Sequence, residues 1–296
     1  MNDNSQVYYI PGLSQWPLIA AVGLGSLAIG AATCFHGDPY GPYVLSLGLF
    51  VVIFMMVGWF STVVRESNAG MFDAQVDRTF RWGMFWFIFS EVMFFAGFFG
   101  TLFYARNFSV PWLGGEGALI KQGTHEFLWP HFTAQWPVLH NPDPSKFIDP
   151  EHDMRPLWLP LINTLVLITS SVTITYAHHA LRANKRLMLN TMLLATILLG
   201  LSFLCLQAFE YHDAYTELKL KLSSGIYGTT FFTLTGFHCA HVTIGAIMLS
   251  MILLRCLLGH FTPQHHFGFE ATAWYWHFVD VVWLCLFTYV YVLPLR

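Results

Sequence analysis

Three side chains that can exchange protons or bind metal ions stand in otherwise apolar stretches of the sequence. Glu91 lies within FIFSEVMFFAGFF, and His238 and His241 lie within GFHCAHVTIG. At a rise of about 1.5 Å per residue, Glu91 lies about 15 Å inside a helix that begins near Gly83. A carboxylate at that depth in a bilayer costs on the order of 3 kcal/mol. Such a group is expected to be neutral, paired or in contact with water.

Glu91 can serve either of two roles at this depth. It can take part in proton movement, with a carboxyl that is protonated because desolvation favours the uncharged form. It can equally be a protonated structural group that donates one hydrogen bond between helices. The sequence favours neither role.

His238 and His241 share a face of one helix because they are three residues apart. Counted from Tyr227, they lie about 16 and 21 Å into that helix, at a depth where either can pair with Glu91. A haem needs one or two axial ligands, and a di-metal site needs ligands from several helices. The other candidates, which fall mostly at helix ends, are His178, His179, His265, His266 and His277. We therefore predict no metal site in this chain and internal hydrogen bonds for its buried histidines.

His277 and Asp280 form a second polar pair, within WHFVDVVWLCLF. They are three residues apart on one helix face, so a mutual hydrogen bond would lower the cost of burying both. Glu210 and His212 stand at the outer end of another helix and are expected to reach interfacial water.

Basic side chains gather where predicted helices end on one side of the membrane. A forked guanidinium group suits phosphate, so these ends are candidate sites for phospholipid headgroups. Anchoring of the helices by positive charge is the alternative. Neighbouring aromatic rings could pack along acyl chains. The predicted lipid-binding residues are Arg65, Glu66, Arg81 and Arg255 with Trp59, Trp82 and Phe85, and Arg182 and Arg186 belong to the same basic cluster.

Membrane-spanning helices are needed to position these residues. Of the 296 residues, 55% are hydrophobic and only 10% are charged, whereas soluble domains carry about 25% charged residues. A spanning helix needs about 20 mostly apolar residues. The fold class is therefore predicted as all-α integral membrane with seven transmembrane helices. The apolar runs lie at about 16–35, 41–64, 83–104, 157–180, 187–210, 227–258 and 271–293.

A long segment, 107–155, joins the third and fourth predicted helices and is rich in Pro, Trp and His. Loops of this length are usually functional or disordered. This one could cover the outer mouth of the bundle or form an added lid.

Charge in the short loops predicts the orientation. The even-numbered loops hold most of the Lys and Arg, whereas the first loop, HGDPY, has neither. The N-terminus is thus predicted on the cytoplasmic side and the C-terminus outside, in a multi-pass protein of the bacterial inner membrane. The first residues lack the basic and short apolar regions of a signal peptide.

Two further classes of function are disfavoured by composition. A net charge of −3 without a basic block argues against nucleic acid as a partner. The five cysteines lie in or beside apolar runs and form no CxxC, which argues against a disulfide framework or a zinc knuckle.

Several blocks of the sequence closely resemble cytochrome c oxidase subunit III, in the order in which that family has them. The block that resembles the last helix is HHFGFEATAWYWHFVDVVWL (265–284). Further blocks are FIFSEVMFFAGFF (87–99), PLINTLVLITSSVTITYAHHAL (160–181), LQAFEY (206–211) and GIYGTTFFTLTGFHCAHVTIGA (225–246), with VRES (64–67) and WPL (16–18). The resemblance covers nearly the whole chain.

The resemblance implies a two-helix bundle (I–II) and a five-helix bundle (III–VII) with a lipid-filled, V-shaped cleft. It also implies that haem and copper belong to partner subunits of a bacterial-type, proton-pumping oxidase that reduces dioxygen. Subunit I would be the main contact and subunit II a further partner. This chain would bind phospholipid, stabilise the catalytic subunit and support proton uptake. Glu91 matches the family's buried acidic position, Arg255 a basic position associated with lipid headgroups, and Trp59 the aromatic region that lines the cleft.

The sequence departs from the family in its longer third loop, and it has the first two helices that quinol-oxidase relatives typically lack. Two other classes fit less well. A desaturase-like di-metal enzyme needs HxxxH and HxxHH boxes, whereas this chain offers HH, HxxH and HxxxxHH. A transporter centred on Glu91 would show broken helices or an inverted repeat, and the sequence shows neither.

Overall fold

The protein is helical throughout the parts that its structure describes. The computed structural model describes residues 12–116, 124–152 and 158–293. Within those ranges there is no β-strand, and seven helices are long and apolar enough to cross a membrane. The predicted fold class is therefore confirmed. Segments 1–11, 117–123, 153–157 and 294–296, which include the predicted N-terminal region and parts of the predicted long loop, lie outside the described residues.

The spanning helices are α1 (Trp16–Phe35), α2 (Gly41–Asn68), α3 (Ala74–Tyr104), α5 (Trp158–Arg182), α6 (Arg186–Thr216), α7 (Gly225–Leu257) and α8 (Phe267–Leu286). A short α4 (Val110–Leu113) follows α3, and π-helical turns occupy Ala105–Ser109, Thr124–Leu128 and Phe287–Val292.

Three helices extend by a polar turn or more beyond the apolar runs from which they were predicted, and α8 begins one turn early, at Phe267. α2 continues to Asn68, α3 begins at Ala74, and α6 continues to Thr216. The added turns are polar, so hydropathy does not detect them. The backbone after α3 stays helical as far as Leu113, so the predicted loop start at Asn107 is wrong.

The chain divides into two compact units, the first ending at residue 82 and the second beginning at residue 83. This boundary falls within α3, so the first unit holds α1, α2 and the first turns of α3, and the predicted separation into two-helix and five-helix bundles stays a prediction. In the first unit, α1 and α2 form a hairpin that packs through glycines. A Cβ atom on Gly30 would lie 2.4 Å from the backbone nitrogen of Leu45, and one on Gly48 would lie 2.6 Å from that of Leu27. The missing side chains therefore allow the two backbones to approach closely.

The core of the second unit lies among α5, α6, α7 and α8. Trp276 and Trp283 on α8 are almost fully buried, and their indole N–H groups donate to Ser170 and Thr164 on α5, each at 2.9 Å. Trp276 also fits against Gly200 on α6, where an added Cβ atom would lie 2.6 Å from the indole ring. Hydrogen bonds and shape together fix α8 against its neighbours.

In the second unit, α3 packs on α7 and α8 through aromatic rings. The ring centroids of Phe94 and Phe237 are 5.1 Å apart, and those of Phe95 and Phe278 are 6.2 Å apart. Glu91 lies one turn before these rings, so its partly buried carboxyl stands beside the aromatic interface.

The described part of the long loop packs against the link between α6 and α7. The Asp149 carboxylate accepts hydrogen bonds from the backbone and side-chain N–H groups of Asn141, both at 2.8 Å. Glu151 pairs with Lys219, and its backbone N–H donates to the carbonyl of Leu218 at 3.0 Å. The described part of the loop therefore packs on one end of the second unit, and the role predicted for it, covering the outer mouth or forming an added lid, stays a prediction.

Candidate functional site

Glu91 on α3 and His241 on α7 form a hydrogen-bonded pair. Glu91 Oε2 lies 2.8 Å from His241 Nε2, and the two side chains are 23% and 13% exposed. The other ring nitrogen, Nδ1, lies 2.7 Å from the backbone oxygen of Phe237. Both nitrogens of the imidazole are therefore engaged, which holds the ring in one orientation.

The contacts of His241 determine how many protons the pair holds. A carbonyl oxygen can only accept a hydrogen bond, so Nδ1 carries a hydrogen and donates it to Phe237. The contact between Nε2 and Glu91 needs one further hydrogen, which belongs either to the imidazole or to the carboxyl. The pair is thus an imidazolium–carboxylate or an imidazole–carboxylic acid. Both forms have zero net charge, which lowers the cost of burial in a membrane.

Aromatic rings surround this pair. The centroids of Phe95 and Phe94 lie 5.0 and 5.8 Å from the imidazole of His241. The ring of Tyr275 is nearly parallel to the imidazole at 6.5 Å, and its hydroxyl donates to the backbone oxygen of His241 at 3.4 Å. Apolar surroundings strengthen a hydrogen bond that water would otherwise weaken. The predicted pairing of Glu91 with a histidine of this helix is confirmed for His241.

His238 does not take part in the pair. It is fully buried, and its Nε2 donates to the backbone oxygen of Val279 at 3.2 Å. The rings of Phe203 and Trp283 flank it at 5.5 and 5.2 Å. A step of three residues rotates a helical side chain by about 60°, so His238 faces α6 and α8 while His241 faces α3. The prediction that His238 can also pair with Glu91 is therefore wrong.

His277 and Asp280 do not form the predicted hydrogen bond with each other. His277 Nδ1 lies 2.6 Å from the hydroxyl of Ser171 on α5. Oδ1 of Asp280 is buried and has no hydrogen-bond partner among the described residues. The predicted mutual contact is therefore wrong, because the imidazole bonds to a hydroxyl of a neighbouring helix, which the spacing within α8 alone does not indicate.

Glu210 lies inside the second unit rather than at interfacial water. Its side chain is 3% exposed, and Oε2 accepts a hydrogen bond from the amide of Gln207 at 2.9 Å. Its other oxygen, Oε1, is buried and has no hydrogen-bond partner among the described residues. The expectation of contact with water is wrong because α6 continues beyond Glu210 to Thr216. The spacing of three between Gln207 and Glu210 is a signal that could have indicated this buried contact.

Arg255 is the predicted lipid-binding cation of the second unit. Its guanidinium carbon lies 4.3 Å from the centre of the Phe261 ring. Its Nε is buried and has no hydrogen-bond partner within the described ranges. Arg186 reaches the same point, where it donates to the backbone oxygen of Phe261 at 2.7 Å. Phe85, the other lipid-binding candidate of this unit, is 50% exposed on α3.

The remaining lipid-binding candidates belong to the first unit and are Trp59, Arg65, Glu66, Arg81 and Trp82. Arg65 is exposed in the last turn of α2. Arg81 Nε lies 2.8 Å from the carboxylate of Asp77, four residues earlier on α3. The charge of Arg81 is therefore partly balanced within its own helix, whereas Trp59, at 47% exposure, presents an apolar surface.

Comparison with known proteins gives the family. The family model described as "Cytochrome c oxidase subunit III" matches residues 6–118 and 143–294. Cytochrome c oxidase subunit 3 of Lumbricus terrestris is 40% identical over 97% of both chains. The subunits 3 of Pan troglodytes and Homo sapiens are each 41% identical over 98% of both chains. The chain belongs to the cytochrome c oxidase subunit III family.

As a subunit III, the chain is part of a respiratory oxidase, an oxidoreductase complex of electron transport, and it spans the membrane with partner subunits. The resemblance predicted from the sequence is confirmed. The family model leaves residues 119–142 unmatched, and these fall in the long loop before α5. This gap agrees with the prediction that the loop departs from the family pattern.

Proposed function

We propose that this subunit III has no redox group of its own and supports the catalytic subunit in proton uptake, stability and lipid binding. The Glu91–His241 pair carries the proposal. It is a mostly enclosed pair that shares one hydrogen between two groups, each of which can hold it.

The contacts of the buried histidines support the absence of a haem or copper site. An axial ligand must offer an unprotonated nitrogen to the metal. Both nitrogens of His241 are engaged, by Phe237 and Glu91, so this imidazole has no nitrogen left for a metal. In His238, Nε2 donates to Val279 and Nδ1 carries no hydrogen, but the residue is fully buried with the rings of Phe203 and Trp283 beside it. We assign haem and copper to the partner subunits.

A proton can move within the pair without creating net charge. Movement of one hydrogen between Glu91 Oε2 and His241 Nε2 interconverts two neutral forms. Glu91 is the more exposed partner, so it is the group that exchanges protons with its surroundings. The shared hydrogen bond then keeps the exchanging carboxyl in place between turnovers.

The proposal is tested by Glu91→Gln in the assembled oxidase. The amide keeps the size and one hydrogen bond of the carboxyl but cannot release a proton. We expect slower proton uptake per electron and faster inactivation during turnover, with unchanged haem and copper content. Glu217→Gln, at an exposed carboxyl just after α6, is the matched control. Parental proton uptake in both Glu91→Gln and His241→Gln would refute the proton-related role.

Arg255 is proposed to bind a phospholipid headgroup. Its buried Nε, unpartnered among the described residues, is a donor that a phosphate oxygen could accept from. We expect Arg255→Ala to reduce the lipid retained by the purified complex and to loosen attachment of the subunit. Native mass spectrometry measures both, with Lys185→Ala at an exposed lysine as control. Equal lipid content in the parent and Arg255→Ala would contradict this role. The lipid roles of Trp59, Arg65, Glu66, Arg81, Trp82 and Phe85 stay predictions.

Subunit I is proposed as the main partner and subunit II as a further one, with the N-terminus on the side of the basic loops. The bacterial inner membrane stays a prediction, since the relatives described above come from animals. Cysteine labelling tests the topology. A reagent added on the cytoplasmic side should reach Ala69→Cys but not Gly37→Cys, which lie in the turns at opposite ends of α2. The reverse pattern would overturn the orientation.

A further inference from the structure

A second group of titratable side chains lies where α5 ends and α8 begins. His178 on α5, with His266 and Glu270 at the start of α8, each offer one ligand atom, and the three atoms lie within 4.8 Å of one another. All three residues are partly buried. None of them belongs to the Glu91–His241 pair or to the predicted lipid-binding residues.

Local structure fixes these three side chains. His266 caps α8, and its backbone oxygen accepts hydrogen bonds from the N–H groups of Phe269 and Glu270 at 3.0 and 3.2 Å. Glu270 is four residues later, so it lies on the same side of the helix as His266. The ring of His178 stacks on Phe269 with centroids 5.6 Å apart and lies 5.4 Å from the ring of His266. The donor groups are thus held together by the fold.

Two ring nitrogens of this cluster lack a partner. His178 Nε2 and His266 Nδ1 are buried and make no hydrogen bond within the part of the chain that the structure describes. Buried polar atoms normally have a partner, and a metal ion can supply one to both rings. Glu270 needs to offer only one carboxylate oxygen and can keep the other for a further contact.

We propose that His178, His266 and Glu270 bind one divalent transition-metal ion, with Zn²⁺ as the best match. Two imidazoles and a carboxylate form a set in which zinc keeps a fourth position for water. Tetrahedral bonds of about 2.1 Å separate ligand atoms by about 3.4 Å, so the side chains would move together by about 1 Å. Imidazole ligands disfavour magnesium and calcium, which prefer oxygen. Arg182, one turn beyond His178, carries a positive charge that would repel a bound metal ion, and the negative charge of the Glu270 carboxylate offsets this repulsion.

The bound ion would connect the end of α5 to the start of α8 and so stabilise this end of the second unit. The binding requires no partner subunit and no proton transfer. Its failure would therefore leave the proposed function untouched, and the failure of the proposed function would leave the metal site untouched.

The full chain in lipid nanodiscs, freed of metal with a chelator, provides the test. Titration with ZnCl₂ should show one site per chain, and X-ray absorption should show nitrogen and oxygen ligands at about 2.0–2.2 Å. His178→Gln, His266→Gln or Glu270→Gln should each weaken binding by at least about tenfold. The adjacent exposed histidines provide matched controls, and His179→Gln and His265→Gln should bind as the parent does.

Thermal unfolding gives a second measurement that does not depend on the binding curve. Zn²⁺ should raise the Tm of the parent and of both controls but not of the three ligand variants. Each ligand variant tests the same site, so a variant that fails to fold is replaced by another of the three. Parental zinc affinity in a variant that lacks all three ligands, or no binding by the parent, would overturn the proposal.

Discussion

Replacing either member of the Glu91–His241 pair should destabilise the second unit, whereas replacing both should add little further cost. His241→Phe removes the 2.8 Å hydrogen bond of the carboxyl. Breaking a fully buried ion pair lowers the free energy of unfolding by about 3–5 kcal/mol. Because the Glu91 side chain is 23% exposed, we expect His241→Phe to lower it by about 2 kcal/mol. Glu91→Leu leaves Nε2 of the imidazole without its acceptor, which costs about 1 kcal/mol. The double variant should cost about 1.5 kcal/mol, because neither polar group remains unpaired.

The coupling energy expected from these values is about 1.5 kcal/mol, near the upper end measured for hydrogen bonds between membrane helices. Reversible unfolding of the chain in lipid–detergent particles, followed by tryptophan fluorescence, measures the four free energies of unfolding. Ser90→Ala and Thr243→Ala provide a control cycle on the same two helices, since each hydroxyl bonds only within its own helix in the described structure. Additivity of the Glu91 and His241 variants to within about 0.4 kcal/mol would refute the pairing.

Two further predictions concern stability. Gly30→Val should destabilise the α1–α2 hairpin by about 2 kcal/mol because its side chain would meet the backbone of Leu45, whereas Gly25→Val, which faces open space, should change little in the same unfolding assay. The pKa of the Asp149 carboxyl lies below its usual value, because burial raises it but the N–H groups of Asn141 lower it more. Because the pKa of Asp149 is lower in the folded chain than in the unfolded chain, its carboxylate stabilises the folded loop at pH values above the unfolded pKa of 3.8. This stabilisation is lost as the pH falls through the pKa of the folded chain. Hydrogen exchange of the loop, corrected for intrinsic rates, should show this loss in the parent, and persistence of the same pH dependence in Asp149→Asn would contradict it.

Helix bounds could be predicted where the apolar run and the helix end together. α1 shows this, since its structural bounds, Trp16–Phe35, are those of the hydrophobic run. The start of α3 at Ala74 could not be found from hydropathy because its first turns are polar. The ion pair between Asp77 and Arg81 stabilises those turns outside the hydrocarbon region. The spacing of four between these opposite charges was a signal for an earlier start.

Depth in the membrane predicted which polar groups are buried but not which partners they have. Depth placed Glu91 near both His238 and His241, and rotation around α7 then assigned the contact to His241 alone. The cluster that includes His178 was missed for a different reason. Its members come from two helices that are far apart in sequence, so only the His266–Glu270 spacing was visible before the fold was known.

The backbone of α7 limits what the Glu91–His241 pair can do. Because Phe237 fixes a hydrogen on Nδ1 of His241, the imidazole has one nitrogen left for exchange, and this nitrogen faces Glu91. A second added proton would produce an imidazolium beside a neutral carboxylic acid, with a net positive charge among aromatic rings. Loss of the shared proton would leave a carboxylate in the same surroundings. Both states are costly, so the proposed proton-related role would require the pair to exchange protons one for one rather than to store them. A purely structural pair would tolerate a replacement that preserves the hydrogen bond, whereas a relay needs the exchangeable proton itself, and Glu91→Gln separates the two roles.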